Sequence, residues 1–239
     1  MHSVTKNCAD YLRAFISNHN VKLKSGHAHE FVAAFCGYKS RAAMLADTLC
    51  PIENLDQAQI FVWMPALFIE QRRQCLENLP SDLLETDKLC EELSAFLELK
   101  FSGIFFSSWQ HLAESLTKEY LQAHSDRILP FNFRLYDKKA SDIFNKPPSQ
   151  FNLEVENTDG RVKLIVTSEY RGSPEVRFHL ESIAVRIAIN LQRIAGYIGY
   201  TRAEISLIDC SSQTFSQTGQ PFGFGENNID GHLGFADRL

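Results

Sequence analysis

No stretch of this chain approaches the ~18 consecutive apolar residues of a membrane-spanning helix. The opening MHSVTKNCADYLR has no apolar core of the kind a secretory signal needs. A cytoplasmic, soluble protein with no membrane partner is therefore expected. The six cysteines (Cys8, Cys36, Cys50, Cys75, Cys90, Cys210) contain no CxxC pair. Four sit among apolar neighbours in helix-like segments, which reads as reduced, packed thiols rather than a disulfide framework. There is no excess of positive charge. Residues 1–127 hold 12 basic and 16 acidic side chains, the remainder 12 and 13, and the net charge is −5. That argues against broad, unspecific attraction to nucleic acid while leaving room for a local basic patch. GxSxG, GxxxxGK[ST] and HExxH are all missing, and no internal repeat occurs. The glycines of Gly219–Gly225 have no strand leading into them, so they do not make a nucleotide loop.

What is present is an ordinary globular composition, 44% apolar and 22% charged over 239 residues, with 18 phenylalanines to fill cores. The chain divides by periodicity. Tyr11, Leu12, Phe15 and Ile16 recur at helical spacing over 7–18. A second helix is expected over about 27–36, with Gly37 as its left-handed C-cap residue. Ser40 is a suitable N-cap for a third helix ending near Leu49, and Pro51 closes the module. Residues 58–65, AQIFVWMP, read as a strand ended by Pro65. Helical period returns over 66–79, where Leu67, Phe68, Cys75, Leu76 and Leu79 form the expected apolar stripe and Arg72 and Arg73 a solvated face. It continues over 86–99 and 107–123.

After Pro130 the period changes to two. FNFRLY (131–136), FNLEVE (151–156), RVKLIVTSEY (161–170) and AEISLIDC (203–210) alternate or are β-rich, and Asp159-Gly160 suits a hairpin turn. In ESIAVRIAINLQRI (181–194), Ile183, Val185, Ile187, Ile189 and Leu191 occupy every second position. On a helix those five would scatter; on a strand they line one face. Residues 138–150 read as a loop, and Gly196, Gly199 and Tyr200 as a turn. From Ser211 the chain reads as an irregular Gly/Phe-rich tail that either wraps the domain or orders on a partner. The expectation is an α+β protein: a mainly helical half, 1–127, carrying a helix-turn-helix-like module at 8–50, then an antiparallel β-rich half, 128–239, built as a sandwich or open barrel.

Three candidate surfaces follow. His27, His29 and Glu30 offer ligand types for zinc or another divalent metal, but i and i+2 diverge on a helix and converge only if His27 precedes it. Otherwise Glu30 simply complements a helix start. Lys39, Ser40 and Arg41 open the third helix where a nucleic-acid contact would fall, although SRAAMLADTL offers few long polar side chains for reading bases. Arg186, Asn190 and Gln192 share the polar face of the long strand, suited to a partner or a nucleic-acid strand, or to cover by the tail through Phe215, Phe222, Phe224 and Phe235.

The run Ser25-Gly-His-x-His-Glu-x-x-Ala-Ala, followed by Gly37-Tyr-Lys-Ser-x-x-Ala-Met-Leu-Ala, resembles the N-terminal helical module called the glyoxalase-related domain, known from uncharacterised bacterial proteins. The likeness covers about residues 8–50 and departs from the family's commoner form in having Met44 and Leu45 where a tryptophan is often found nearby. It implies no catalytic residue. The function expected is that of a non-enzymatic bacterial accessory protein, from a mobile element or defence locus, binding protein (a partner or its own copies) or nucleic acid without a cofactor. The alternative is a metal-dependent enzyme with its site near His27, His29 and Glu30.

Overall fold

The computed structural model describes residues 3–63, 66–129, 140–158, 160–171, 178–216 and 237–238. It shows the α+β arrangement: helices to about residue 128, then a mainly antiparallel, curled half-barrel of β-strands. Two compact units divide the chain. One comprises 1–109, 159–161 and 191–202; the other comprises 110–158, 162–190 and 203–239.

In the first unit, α1 (Val4–Ser17), α2 (Ser25–Phe35), α3 (Arg41–Ala46), α4 (Leu67–Cys75) and α5 (Thr86–Lys100) surround a core to which Leu12, Ile16, Phe31, Val32, Ile69, Leu89, Leu93 and Leu97 contribute. α2 lies at the centre, packed on α1, α3, α4 and α5. That position explains why every residue from Phe31 to Cys36 is buried. Leu89, Leu93 and Leu97 form an i, i+4 row, and burying each contributes roughly 1.5–3 kcal/mol. α1 begins at Val4, earlier than periodicity alone predicts. The Glu53 carboxylate accepts from the Val4 amide (2.9 Å) and the Ser3 hydroxyl (2.8 Å), satisfying donors at the helix start.

Two short strands join this unit, β1 (Ile60–Val62) and β2 (Ile104–Phe106), paired in parallel. β2 is too short to show a period, and the sequence did not reveal it. Of the stripe expected over 66–79, Leu67, Phe68 and Cys75 are exposed, Leu76 and Leu79 pack half-buried against the core beyond the end of α4, and Ile69 is the residue of α4 wholly inside. The helix turns by ~100° per residue, so seating Ile69 against the core points Leu67 and Phe68 elsewhere. Nor are Arg72 and Arg73 a solvated face. Arg72 pairs with Glu30, and Arg73 donates to the carbonyls of Leu83 and Leu84.

The second unit includes α6 (Trp109–Ala123, apart from its first residue), α7 (Ser125–Ile128) and the longer strands, apart from Arg161 of β4 and the last five residues of β5. β3 (Gln150–Thr158), β4 (Arg161–Arg171), β5 (Phe178–Ala195) and β7 (Glu204–Ser216) are successive neighbours. β5 and β7 run antiparallel, with Val185 opposite Cys210 and Ile189 opposite Ile205, and bulges near Ser182 and Ile187. Ile183, Val185, Ile187 and Ile189 are buried, as the alternation predicts, while Arg186 and Asn190 are exposed. α6 buries Leu112, Ala113, Leu116, Tyr120 and Leu121.

Several local expectations need correction. Gly199–Tyr200 is a short strand, β6, pairing with β1 and with the end of β5; only 196–198 make the turn. Residues 211–216 extend β7 instead of starting an irregular tail, and Asp237–Arg238 (β8) pairs with its beginning. The loop at 138–150 contains a 3-10 turn, Ala140–Asn145, that buries Phe144 against Tyr170. FNFRLY, Asp159, Phe222, Phe224 and Phe235 lie outside the described residues. All six cysteines are free; Cys8, Cys36 and Cys50 are buried and Cys75 is exposed.

Candidate functional site

The α2–α3 junction is built from three local devices. Gly37 takes φ +86°, a conformation costly for a residue with a Cβ. The Ser40 hydroxyl accepts from the Ala43 amide (3.1 Å), so it serves as an N-cap and is committed to the backbone. α3 then ends at Ala46, short of Leu49. The Asp47 carboxylate accepts from the amides of Leu49 (3.1 Å) and Cys50 (3.0 Å), folding the chain into a turn.

That turn sets up a cluster which sequence reasoning missed. The Tyr38 hydroxyl donates to Asp47 Oδ2 at 2.7 Å, and Arg193 Nη2 lies 3.4 Å from the same oxygen. The Arg193 guanidinium stacks over the Tyr197 ring, 4.2 Å from its centroid. The Cys50 thiol donates to the Arg193 carbonyl, and the amides of Gly196 and Tyr197 donate to the carbonyls of Cys50 and Cys36. Arg193 and Asp47 side chains are only 10% and 11% exposed. Burial pushes the Asp47 carboxyl up, but the Cys50 amide, the Tyr38 hydroxyl, Arg193 and the Leu49 amide together hold it below its ordinary value. Tyr38 is raised, by burial first and then by Asp47, and stays protonated. The arrangement is a clasp joining residues 36–50 to residues 193–197. It contains a carboxylate, a cation and a phenol, all engaged with one another.

The metal candidate does not assemble. Glu30 Oε2 accepts from the Arg41 amide (3.0 Å) and Arg72 Nε (2.9 Å), with Arg72 Nη2 at 2.8 Å. His27 and His29 are half-buried, and their Nδ1 atoms are enclosed without a hydrogen-bond partner. Burial, then Arg41, holds the His29 imidazole below its ordinary pKa, so the ring is neutral at pH 7. Among the described residues, no group of three or more His, Cys, Asp or Glu side chains is placed to hold a metal ion. With Glu30 bound by arginine and the two histidines on successive directions of α2, the three do not form a ligand set.

Around α3, by contrast, much is left open. Lys39 and Arg41 are exposed, as are Ala42, Ala43 and Ala46. Leu45 is 63% exposed and Leu49 62%. Only Met44 of α3 is buried. Six residues span ~9 Å of helix axis, which is short for a helix that reads a groove.

The polar positions of β5 are brought to a surface but not to a basic one. Arg186 and Asn190 are exposed, yet the register sets Asp209 opposite Arg186 and Glu204 opposite Asn190. Carboxylates at those positions repel phosphate, which argues against a nucleic-acid face there. Gln192 is exposed too, and its backbone amide donates to the Thr201 hydroxyl (3.2 Å) in the first unit. No helix among the described residues is long and apolar enough to cross a membrane. No protein-family model, curated protein or solved structure matches the chain.

Proposed function

We infer that the protein acts in the cytoplasm by binding another macromolecule, not by catalysis, and that the surface around α3 is its contact. One observation carries this reading: Leu45 and Leu49 stand exposed beside Lys39 and Arg41, on a segment whose acidic neighbours Glu30 and Asp47 are already bound within the fold. Exposed leucines over a platform of alanines, with cations at one end, suit a protein surface better than a groove of DNA. The likeness of residues 8–50 to a helical module of uncharacterised bacterial proteins suggests an accessory role, in a mobile element or defence locus.

Photo-crosslinking from position 45 or 49 tests the reading. Adducts are expected from these positions and not from Glu77, an exposed control elsewhere; equal yields from all three would sink it. A second reading, nucleic-acid binding, is favoured by the adjacent exposure of Lys39 and Arg41. It requires a salt-sensitive mobility shift with duplex DNA that is lost in the K39E/R41E protein.

A further inference from the structure

The α3 surface has a counterpart on α5. Asp87, Glu91, Ala95, Glu98 and Leu99 are all exposed, and their spacing of three and four residues puts them along one side of that helix. Leu99, at 86%, is more exposed than Leu45 or Leu49. The two surfaces have the same construction with opposite charge. The α3 surface has Lys39 just before the helix, Arg41, small alanines and Leu45 on it, and Leu49 past its end; α5 has Asp87 and Glu91, a small alanine, then Glu98 and Leu99. The cations on α5 are occupied. Lys88 is shared between Glu91 (3.4 Å) and Glu92 (3.3 Å), Lys100 lies over the Phe96 ring, and Glu98 accepts from Trp63 Nε1 (3.2 Å), which leaves Asp87 and a share of Glu91 as the open negative charge. α5 as a whole carries four carboxylates (Asp87, Glu91, Glu92, Glu98) and two lysines (Lys88, Lys100).

We propose that the partner of the α3 surface is the α5 surface of a second copy of this chain. This rests on the binding role inferred above and names its occupant. Alanines on both sides let the helices approach closely, the leucines supply apolar contact, and the charges set orientation. The contact joins two different patches, so it is head-to-tail. Each copy keeps one free α3 and one free α5, and assembly proceeds to a ring or an open chain of copies instead of stopping at a two-fold dimer.

Charge reversal on the full-length protein tests this by sedimentation velocity over a range of concentrations. The wild-type chain is expected to associate as concentration rises, and less so at high salt. K39E/R41E and D87K/E91K, each with unchanged circular dichroism, should associate about tenfold more weakly or worse. Mixed together, the two variants should associate again, because the acidic α3 of one now faces the basic α5 of the other. A wild-type protein that stays monomeric, variants that associate as before, or a mixture that stays dissociated would each overturn the proposal. If the protein is monomeric while positions 45 and 49 still crosslink to a different chain, self-assembly fails and the binding role survives. If neither occurs, both fail.

Discussion

Gly37 and Tyr197 touch so closely that a Cβ on Gly37 would stand 2.6 Å from the Cβ of Tyr197. The Tyr197 amide donates to the carbonyl of Cys36, one residue before that glycine. The end of α2 and the turn after β5 therefore meet backbone to backbone. Gly196, at φ +54°, is pressed in the same way, with Ile52 Cδ1 2.9 Å from where its Cβ would be.

Gly37→Ala should accordingly be costly on two counts, the left-handed backbone and the collision with Tyr197. A loss of roughly 1–3 kcal/mol is expected from the backbone conformation alone, with more from the displaced ring. The midpoint and slope of urea unfolding of the full chain measure it. A loss under half a kilocalorie, within the ordinary range of surface changes, would mean that the two segments do not meet this tightly.

The Asp47–Arg193 pair should behave asymmetrically. Asp47→Ala leaves a guanidinium enclosed with Nε and Nη1 already unpartnered, and removing one member of a buried pair costs about 3–5 kcal/mol. Arg193→Met removes the charge, keeps the aliphatic stem over Tyr197, and should cost less. The double variant should therefore be more stable than the sum of the single losses implies, which a double-mutant cycle reads directly.

Folding lowers the Asp47 pKa, so the folded state binds fewer protons than the unfolded chain between the two values. The stabilisation is complete above the unfolded value, ~3.9, and is lost as pH falls through the lower folded value. Asp47→Asn should flatten the fall of unfolding free energy with acid below about pH 4. An unchanged acid slope would show that other carboxylates dominate it.

His29 has the same sign in a different window. Its folded pKa is lowered by burial and by Arg41, so stability is full above ~6.5 and declines as pH falls below that value towards the folded one. His29→Gln should remove this component. Urea midpoints at pH 7.5 and 5.5 should differ less in the variant than in the parent protein, and an equal difference would refute the assignment.

Glu30 ties the start of α3 to α4, and both groups of the Glu30–Arg72 pair are little more than a fifth exposed. Glu30→Gln keeps an acceptor for the Arg41 amide but loses the charge. A coupling energy of about 0.5–1 kcal/mol with Arg72→Met is expected from a partly exposed pair, measured by a thermal or urea cycle.

Much of the architecture could be read from local pattern. The alternation of Ile183, Val185, Ile187 and Ile189 marks β5 because only a pleated strand presents these four branched residues to one side. Gly37 and Ser40 bound their helices through backbone geometry that depends on nearest neighbours alone. The failures came where a neighbour distant in sequence decided. The side of α4 that is buried depends on the position of Ile69 in the core, and Asp47, whose turn ends α3, is held by Arg193 from far along the chain. The candidate metal ligands lost Glu30 to an arginine 42 positions away.

Residue types and periods by themselves determined the order of the longer helices and strands, the change from helical to alternating pattern in the second half, and the caps at Gly37 and Ser40, since each is settled by a few consecutive φ and ψ choices. Only the tertiary structure decided that residues 191–202 join the helical unit, and that Tyr38, Asp47, Cys50 and Arg193 close into one clasp. Cys50 and Arg193 are 143 positions apart. Nothing in the local chemistry of either segment names the other; shape and burial bring them together when the core forms.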